Sequence, residues 1–222
     1  PFVFKGGTAL MLHLDSSKRL SIDIDIIISE QIDNLEDQLS ITAKKQNFNK
    51  VVSQHRETNS KIKKSHYKFY YKPLHKTNKE EEYILLDILF EENQYQNIIE
   101  IPIQSKFIPT TTKSVLVKVP SIEDLLGDKL TAFASYTTGI PYFKKEDSMS
   151  MEIIKQLYDI DTLFDRVNNL KTVKNTFSQF AKTELAYRNK SKTTEDVIED
   201  IYQTALCIVT RGAGGNGKIG RA

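Results

Sequence analysis

Hydrophobic and polar positions follow two different rhythms along this chain. Up to about residue 120 the apolar positions come in short stretches, several with a period of two; beyond it they recur at three and four. Residues 8–14 (TALMLHL) are apolar and begin after Gly6 and Gly7, which predicts a short helix. Residues 21–28 (SIDIDIII) alternate apolar with acidic and then turn wholly apolar, as a strand does on running from an open edge into a core. Residues 32–46 predict an amphipathic helix, with Leu35, Leu39 and Ala43 four apart. Further strands are predicted over 66–72, 83–90, 98–103 and 115–119, with the polar stretch 73–82 as a long hairpin loop. Ser121, followed three residues later by Asp124, has the form of a capping box and starts a helix running to about residue 135. Residues 137–149, containing Gly139, Pro141 and a charged cluster, predict a loop, and helices follow over 150–166, 172–188 and 194–210.

The expected fold is therefore α+β: an N-terminal domain over 1–120 built on a mixed sheet, then a helical bundle over 121–211. Residues 212–222, rich in Gly with scattered Lys and Arg, have too little apolar surface to pack and predict a flexible tail. The chain starts with Pro1, and Phe2-Val3-Phe4 reads as mid-structure, so an N-terminal truncation is expected. No targeting peptide is visible.

Composition narrows the class. Hydrophobic residues at 39% and charged residues at 27% exclude a mostly disordered chain. No apolar run approaches the ~18 residues of a membrane span; the longest, 22–28, is interrupted by Asp23 and Asp25. The single cysteine, Cys207, excludes an internal disulfide and a cysteine-based zinc site, and a cytoplasmic location is expected.

Three carboxylates stand where a strand would not choose them. Asp23 and Asp25, two apart on the predicted strand, share one face, with Ile22, Ile24 and Ile26 directed to the core. Like charges side by side repel unless neutralised, and a divalent metal is the usual remedy. Asp87, centred in the apolar stretch 83–90, is costly to bury as an ion unless its face opens on the same site. An isolated D-x-D pair is more often a solvated sheet edge. Here, however, Gly6, Gly7 and Thr8 open a helix just upstream, whose first-turn amides suit a triphosphate. Three carboxylates on adjacent strands could hold two metals for in-line attack at phosphorus. The four histidines, His13, His55, His66 and His75, show no ligand spacing and read as surface or loop residues.

Gly6-Gly7, Asp23-x-Asp25 and the later Asp87 resemble the signature of the DNA polymerase β-type nucleotidyltransferase superfamily. More closely, F-K-G-G-T-A-L (residues 4–10), R-L-S-x-D-I-D-I (19–26), L-L-G-D-K-L-T-A-F-A (125–134) and I-K-Q-L-Y-D-I (154–160) resemble the AbiEii/AbiGii nucleotidyltransferase toxins of type IV toxin–antitoxin systems. The resemblance implies that Asp23, Asp25 and Asp87 bind catalytic Mg²⁺ (or Mn²⁺), with Asp87 also assisting deprotonation of the attacking hydroxyl. It implies that Gly6, Gly7, Thr8 and Ser21 contact the triphosphate of an NTP, that Lys129 holds phosphates and that Asp159 is the later acidic residue of the cleft. Arg19 and Lys155 are carried over with them. The residue pattern alone favours a different reading of two of these: Lys129 lies beside the stripe Leu125, Leu126, Leu130 and Phe133, where lysines often snorkel to solvent, and Asp159 with Asp161 could solvate a helix face.

The resemblance implies NMP transfer from an NTP to an acceptor hydroxyl, in a growth-inhibiting toxin acting on tRNA or another RNA and neutralised by a cognate antitoxin protein. A nucleotide-binding or interaction module without transfer activity is the alternative from another class, and transfer onto a protein or small molecule is a third. A net charge of +2 at first argues against nucleic acid. Yet residues 43–79 hold ten Lys and one Arg against one acid, so this strip is basic and the remainder acidic. Phe48, Tyr67, Phe69, Tyr70 and Tyr71 are interleaved with the lysines, as suits phosphates on Lys and bases on rings, although the same aromatics could alternate into the sheet core.

Overall fold

The computed structural model describes residues 2–14, 19–54, 63–75, 78–104, 114–188 and 191–215. The chain divides into two compact units, Pro1–Asn93 with Ile98–Val119, and Gln94–Asn97 with Pro120–Ala222. Four residues in the middle of the predicted sheet domain thus belong with the second unit.

The first unit is built on a seven-stranded sheet among the described residues. Its strands are β1 (Val3–Phe4), β2 (Ile24–Ile28), β3 (Lys50–Gln54), β4 (Lys63–Tyr71), β5 (Glu82–Phe90), β6 (Ile98–Pro102) and β7 (Leu116–Pro120), in the order β3-β4-β5-β2-β1-β7-β6. The sheet is mixed: β2 pairs parallel with β5 and β1 with β7, while β1–β2, β3–β4 and β4–β5 are antiparallel. Its centre is a continuous apolar run, with Ile26, Ile27, Ile28 and Ile88 buried, as expected of strands covered on both faces. Helix α1 (Gly6–His13) packs against β2 through an apolar body in which Ala9, Leu10 and Met11 are buried. Helix α2 (Leu35–Lys45) packs against β3, and its first turn borders a cavity of about 380 Å³ lined by Ser65, Tyr67 and Phe90.

Two strands of this sheet, β1 and β3, are not anticipated by the sequence pattern. β2 also starts later than predicted, at Ile24. The residues before it run alongside α1, where the Thr8 hydroxyl donates to the Asp23 carbonyl (2.5 Å), so the alternation does not extend back to Ser21. Ile22, expected to enter the core, is 67% exposed for that reason.

The second unit contains α3 (Ile122–Phe133), α4 (Ser150–Phe164), α5 (Leu170–Tyr187) and α6 (Thr194–Val209). Within the predicted loop 137–149 lies a small hairpin of β8 (Phe143–Lys144) and β9 (Asp147–Ser148), turned by Lys145 with φ +57°. Among the described residues, two apolar clusters stand out in the unit. One joins Ala134, Phe177, Ala181, Leu185 and Val197; the other joins Phe133, Tyr142 and Ile153, and Ile201 of α6 packs against both. Ser121 caps α3 by accepting from the Asp124 amide (3.1 Å), as the sequence suggests. The Asp124 carboxylate does more: fully buried, it accepts from the Gln96 and Asn97 amides (2.8 and 2.9 Å) and from the Thr176 hydroxyl. It thereby fastens residues 94–97 and α5 to α3. Asp200 of α6 similarly accepts from the Tyr136 and Thr137 amides, both at 2.8 Å. Of the predicted tail, Gly212–Gly215 fold back on α6, with the Gly212 amide donating to Cys207 and the Gly214 amide to the Thr210 hydroxyl; residues 216–222 lie outside those described.

α3 and α5 approach closely at Gly127, where a Cβ would stand 2.9 Å from the Phe177 amide nitrogen and 3.0 Å from the Val173 carbonyl oxygen. Neither backbone atom can swing aside. Gly127→Ala is therefore expected to destabilise by about 1–3 kcal/mol through overpacking, outweighing the ~1 kcal/mol that alanine normally gains in a helix. A lower urea midpoint at unchanged slope would show this; an unchanged or raised midpoint would refute the close packing.

Candidate active site

The first turn of α1 is shaped by what it presses against. Gly6 has φ +60°, and a Cβ there would lie 2.5 Å from Asp25 Oδ2. A Cβ on Gly7 would lie 2.5 Å from the Ser21 hydroxyl oxygen and 3.4 Å from the Arg19 guanidinium. At Gly6 the left-handed backbone itself favours glycine, and at Gly7 a larger residue would require the Ser21 side chain to move. The Lys5 amide donates to the Asp25 carbonyl (2.9 Å), and Lys5, the residue preceding the helix, provides no side-chain cap. The predicted residues Gly6, Gly7, Thr8, Arg19, Ser21, Asp23 and Asp25 are thus brought together around one helix start, where amide N–H groups and the helix dipole favour an anion.

The carboxylates are set by strand register. In the parallel β2–β5 pair Asp25 lies opposite Asp87, and in the antiparallel β4–β5 pair Asp87 lies opposite His66. Directly opposed residues share a face, so Asp25, Asp87 and His66 form a row across three adjacent strands. His66 is buried, and its Nδ1 lies 2.6 Å from Asp87 Oδ1. Since an ionised carboxylate can only accept, Nδ1 is the donor. The reading of His66 as a surface or loop residue is overturned: it is a core strand residue, and it answers how Asp87 is accommodated in so apolar a strand. Asp23 lies just before β2 and is exposed, so it does not share the ladder with Asp25 as a uniform strand would require.

Among the described residues, no three His, Cys, Asp or Glu side chains converge as a ready metal cage. The donors are two carboxylates in register with a third exposed beside them. Hard oxygen ligands of this kind fit a Mg²⁺ ion that keeps waters and takes substrate phosphates, rather than one enclosed by protein.

The basic strip resolves into two faces. Tyr67 and Phe69 are buried, and Phe48 packs edge-on against Phe69 (5.3 Å between centroids) and Tyr71, so these aromatics serve the core. Burial raises the Tyr67 hydroxyl above its ordinary pKa. Lys64, Lys68 and Tyr70 alternate with them, on the face of His66 and Asp87. There Lys68 lies 4.0 Å over the Tyr83 ring and Lys50 4.6 Å over that of Tyr70. Lys50 also donates to Glu81 (2.7 Å), which holds that carboxyl below its usual range. Arg56, Lys61 and Lys76 of the strip, with His55, lie outside the described residues.

In the second unit, Lys129 does not snorkel. It is buried, and its Nζ donates to Asp159 Oδ2 (2.8 Å) and Gln156 Oε1 (3.0 Å). Asp159 is fully buried, whereas Asp161 is exposed, so the solvated-face reading holds for only one of the pair. The ion pair joins α3 to α4, and Lys155 is exposed on α4 one turn before Asp159. Sequence reasoning missed His66, Gln156 and the wider role of Asp124. A strand pairing of 63–71 with 82–90 would have placed His66 beside Asp87, but nothing local fixes that pairing.

Breaking a buried pair by removing one partner strands a charge. Lys129→Met is expected to cost about 3–5 kcal/mol, whereas Lys129→Met with Asp159→Leu should fold with stability near that of the parent. Urea unfolding of both checks this; a single substitution costing under ~1 kcal/mol would mean the pair is solvated.

The family model described as nucleotidyl transferase AbiEii toxin, type IV TA system, matches residues 1–207. Among solved structures, JHP933 from Helicobacter pylori is similar at 20% identity, with 96% of this chain and 85% of that one covered and a TM-score of 0.44. A proposed nucleotidyltransferase from H. pylori is similar at 19% identity, covering 96% and 88%, with a TM-score of 0.35. No curated protein matches the sequence.

Proposed function

This chain belongs to the AbiEii nucleotidyl transferase toxin family of type IV toxin–antitoxin systems, and we propose that it moves an NMP from an NTP to a hydroxyl of RNA, with tRNA the favoured acceptor. The observation that supports this most is the opposition of Asp25 and Asp87 beside a helix start cleared by Gly6 and Gly7. In the transfer, the bond from the acceptor oxygen to the α-phosphorus forms as the bond from that phosphorus to the β-phosphate bridge breaks, and pyrophosphate leaves. The α1 amides, with Thr8, Ser21 and Arg19, bind and orient the triphosphate. Asp23, Asp25 and Asp87 would hold Mg²⁺ or Mn²⁺, which when bound neutralises charge developing on the phosphoryl oxygens. Asp87 also accepts the proton of the attacking hydroxyl.

Lys129 enters through the family pattern. Its ammonium is committed to Asp159 and Gln156, so it would hold a phosphate only by exchanging partners. Lys155, exposed on the same helix as Asp159, is available to a phosphate without such an exchange.

RNA is favoured over a small cationic acceptor because Lys64, Lys68 and Tyr70 lie on the face that carries Asp87. Lysines bind backbone phosphates and exposed rings stack bases without regard to sequence. The family implies an antitoxin partner. Among the described residues no helix is long and apolar enough to cross a membrane, and action in the cytoplasm is part of this proposal.

Incubation with Mg²⁺, each labelled NTP in turn and purified tRNA or total RNA is expected to transfer label with at least one NTP, and Asp23→Ala or Asp87→Ala to reduce it to background. Absence of transfer with every NTP, or undiminished transfer by Asp23→Ala, would falsify the enzymatic reading. Replacing Lys50, Lys64 and Lys68 by Gln is expected to weaken RNA binding at low salt and to reduce the log–log salt slope by about 0.7 for each phosphate that is no longer neutralised. An unchanged slope would remove this face as the RNA surface.

A further inference from the structure

The His66–Asp87 hydrogen bond is not among the roles that the family resemblance carries over. β5 runs between β2 and β4, so Asp87 is flanked by Asp25 on one side and by His66 on the other. The His66 ring is held in the sheet by burial, and the 2.6 Å bond engages Oδ1 of Asp87 alone. We infer that His66 is a positioning residue for the reaction: by donating from Nδ1 it sets the plane of the Asp87 carboxylate, fixing how the other oxygen is presented on the face shared with Asp25.

Several observations support a role beyond filling the core. A terminal carboxylate torsion is broad and roughly two-fold, so a lone Asp in a half-open site would rotate. A single strong donor from a buried ring removes that freedom, and charge-assisted bonds of this length are about twice as strong as neutral ones. Nδ1 carries a proton in both the imidazolium and the matching neutral tautomer, so the role does not depend on ionisation of the ring. Outer-shell partners that orient ligating carboxylates typically affect metal affinity or activity by about 10–100-fold when lost. A histidine that merely satisfied the core would stabilise the β4–β5 pair and leave the carboxylate's chemistry alone, and the two roles separate experimentally.

The inference rests on the proposed nucleotidyl transfer with Asp87 as a ligand. Asn at position 66 can place an amide nitrogen near the present Nδ1, whereas Leu has similar bulk and no donor. His66→Leu is expected to weaken binding of Mn²⁺ alone, read by electron paramagnetic resonance of the free ion, by about tenfold or more. The Mg²⁺ concentration for half-maximal transfer should rise in parallel, and His66→Asn should return both towards the wild-type values. In an Asp87→Asn background, His66→Leu should add no further loss of Mn²⁺ affinity. Equal Mn²⁺ affinity in wild type and folded His66→Leu would overturn the inference, as would an undiminished effect in the Asp87→Asn background. Should His66→Leu not fold, His66→Gln, whose amide reaches towards the Nε2 position, replaces it: Gln and Asn variants of equal Mn²⁺ affinity would overturn the inference. Wild-type protein that neither binds Mn²⁺ nor transfers label would instead defeat the reading beneath it, whereas active wild type with an indifferent His66→Leu defeats this inference alone.

Discussion

Because side chains along a strand alternate between faces, the pairing of Asp25 with Asp87 decides far more than the spacing of two carboxylates. A slip of one residue between β2 and β5 would bring Asp25 opposite Leu86 or Ile88 and send Asp87 to the other face. The same slip would put the two carboxylates on opposite faces, whereas the run Ile26–Ile28, buried on both faces, stays apolar either way and does not by itself select the register. α1 depends on that register too. Gly6 lies against the Asp25 carboxylate and the Lys5 amide is bonded to the Asp25 backbone, so the helix start and the Asp25 side chain are located by one residue.

The second unit uses carboxylates in the opposite manner. Asp124, Asp159 and Asp200 are buried and serve as fasteners, each collecting donors from segments distant in sequence. Such groups contribute to a unique arrangement more surely than to net stability, since their desolvation offsets much of what their bonds return. In the sheet unit the acids are open enough to meet a ligand. The two environments account for acids of the same type having different work to do.

What can be seen in the sequence follows from how local each signal is. The helix–strand order, the glycine pair and the three acids in apolar surroundings are properties of short windows, and they are legible. β3 is not, since KVVSQ offers only two adjacent valines, and β1 is two residues long, defined by its partners. The aromatics of the strip can be assigned to core or surface only once the phase of β4 is known: Tyr67 and Phe69 lie inside, Tyr70 on the lysine face. His66 and Lys129 show the same limit. The loop between β4 and β5 does not fix their register, so nothing in the sequence sets His66 beside Asp87. The apolar stripe of α3 places Lys129 near the core, yet its burial depends on a carboxylate supplied by the next helix.

The brief passage of residues 94–97 through the second unit has a consequence for how the chain can be divided. Gln96 and Asn97 donate their amides to Asp124, and Tyr95 donates its hydroxyl to Asp128 (2.7 Å) before the chain returns to β6. Pieces severed after Val119 would each lack part of the same fold. The helical piece would have Asp124 buried without its amide donors, and the other piece would have those amides without their acceptor. Each fragment would carry half of one buried hydrogen-bonded set, so no single cut in the chain releases either compact unit whole.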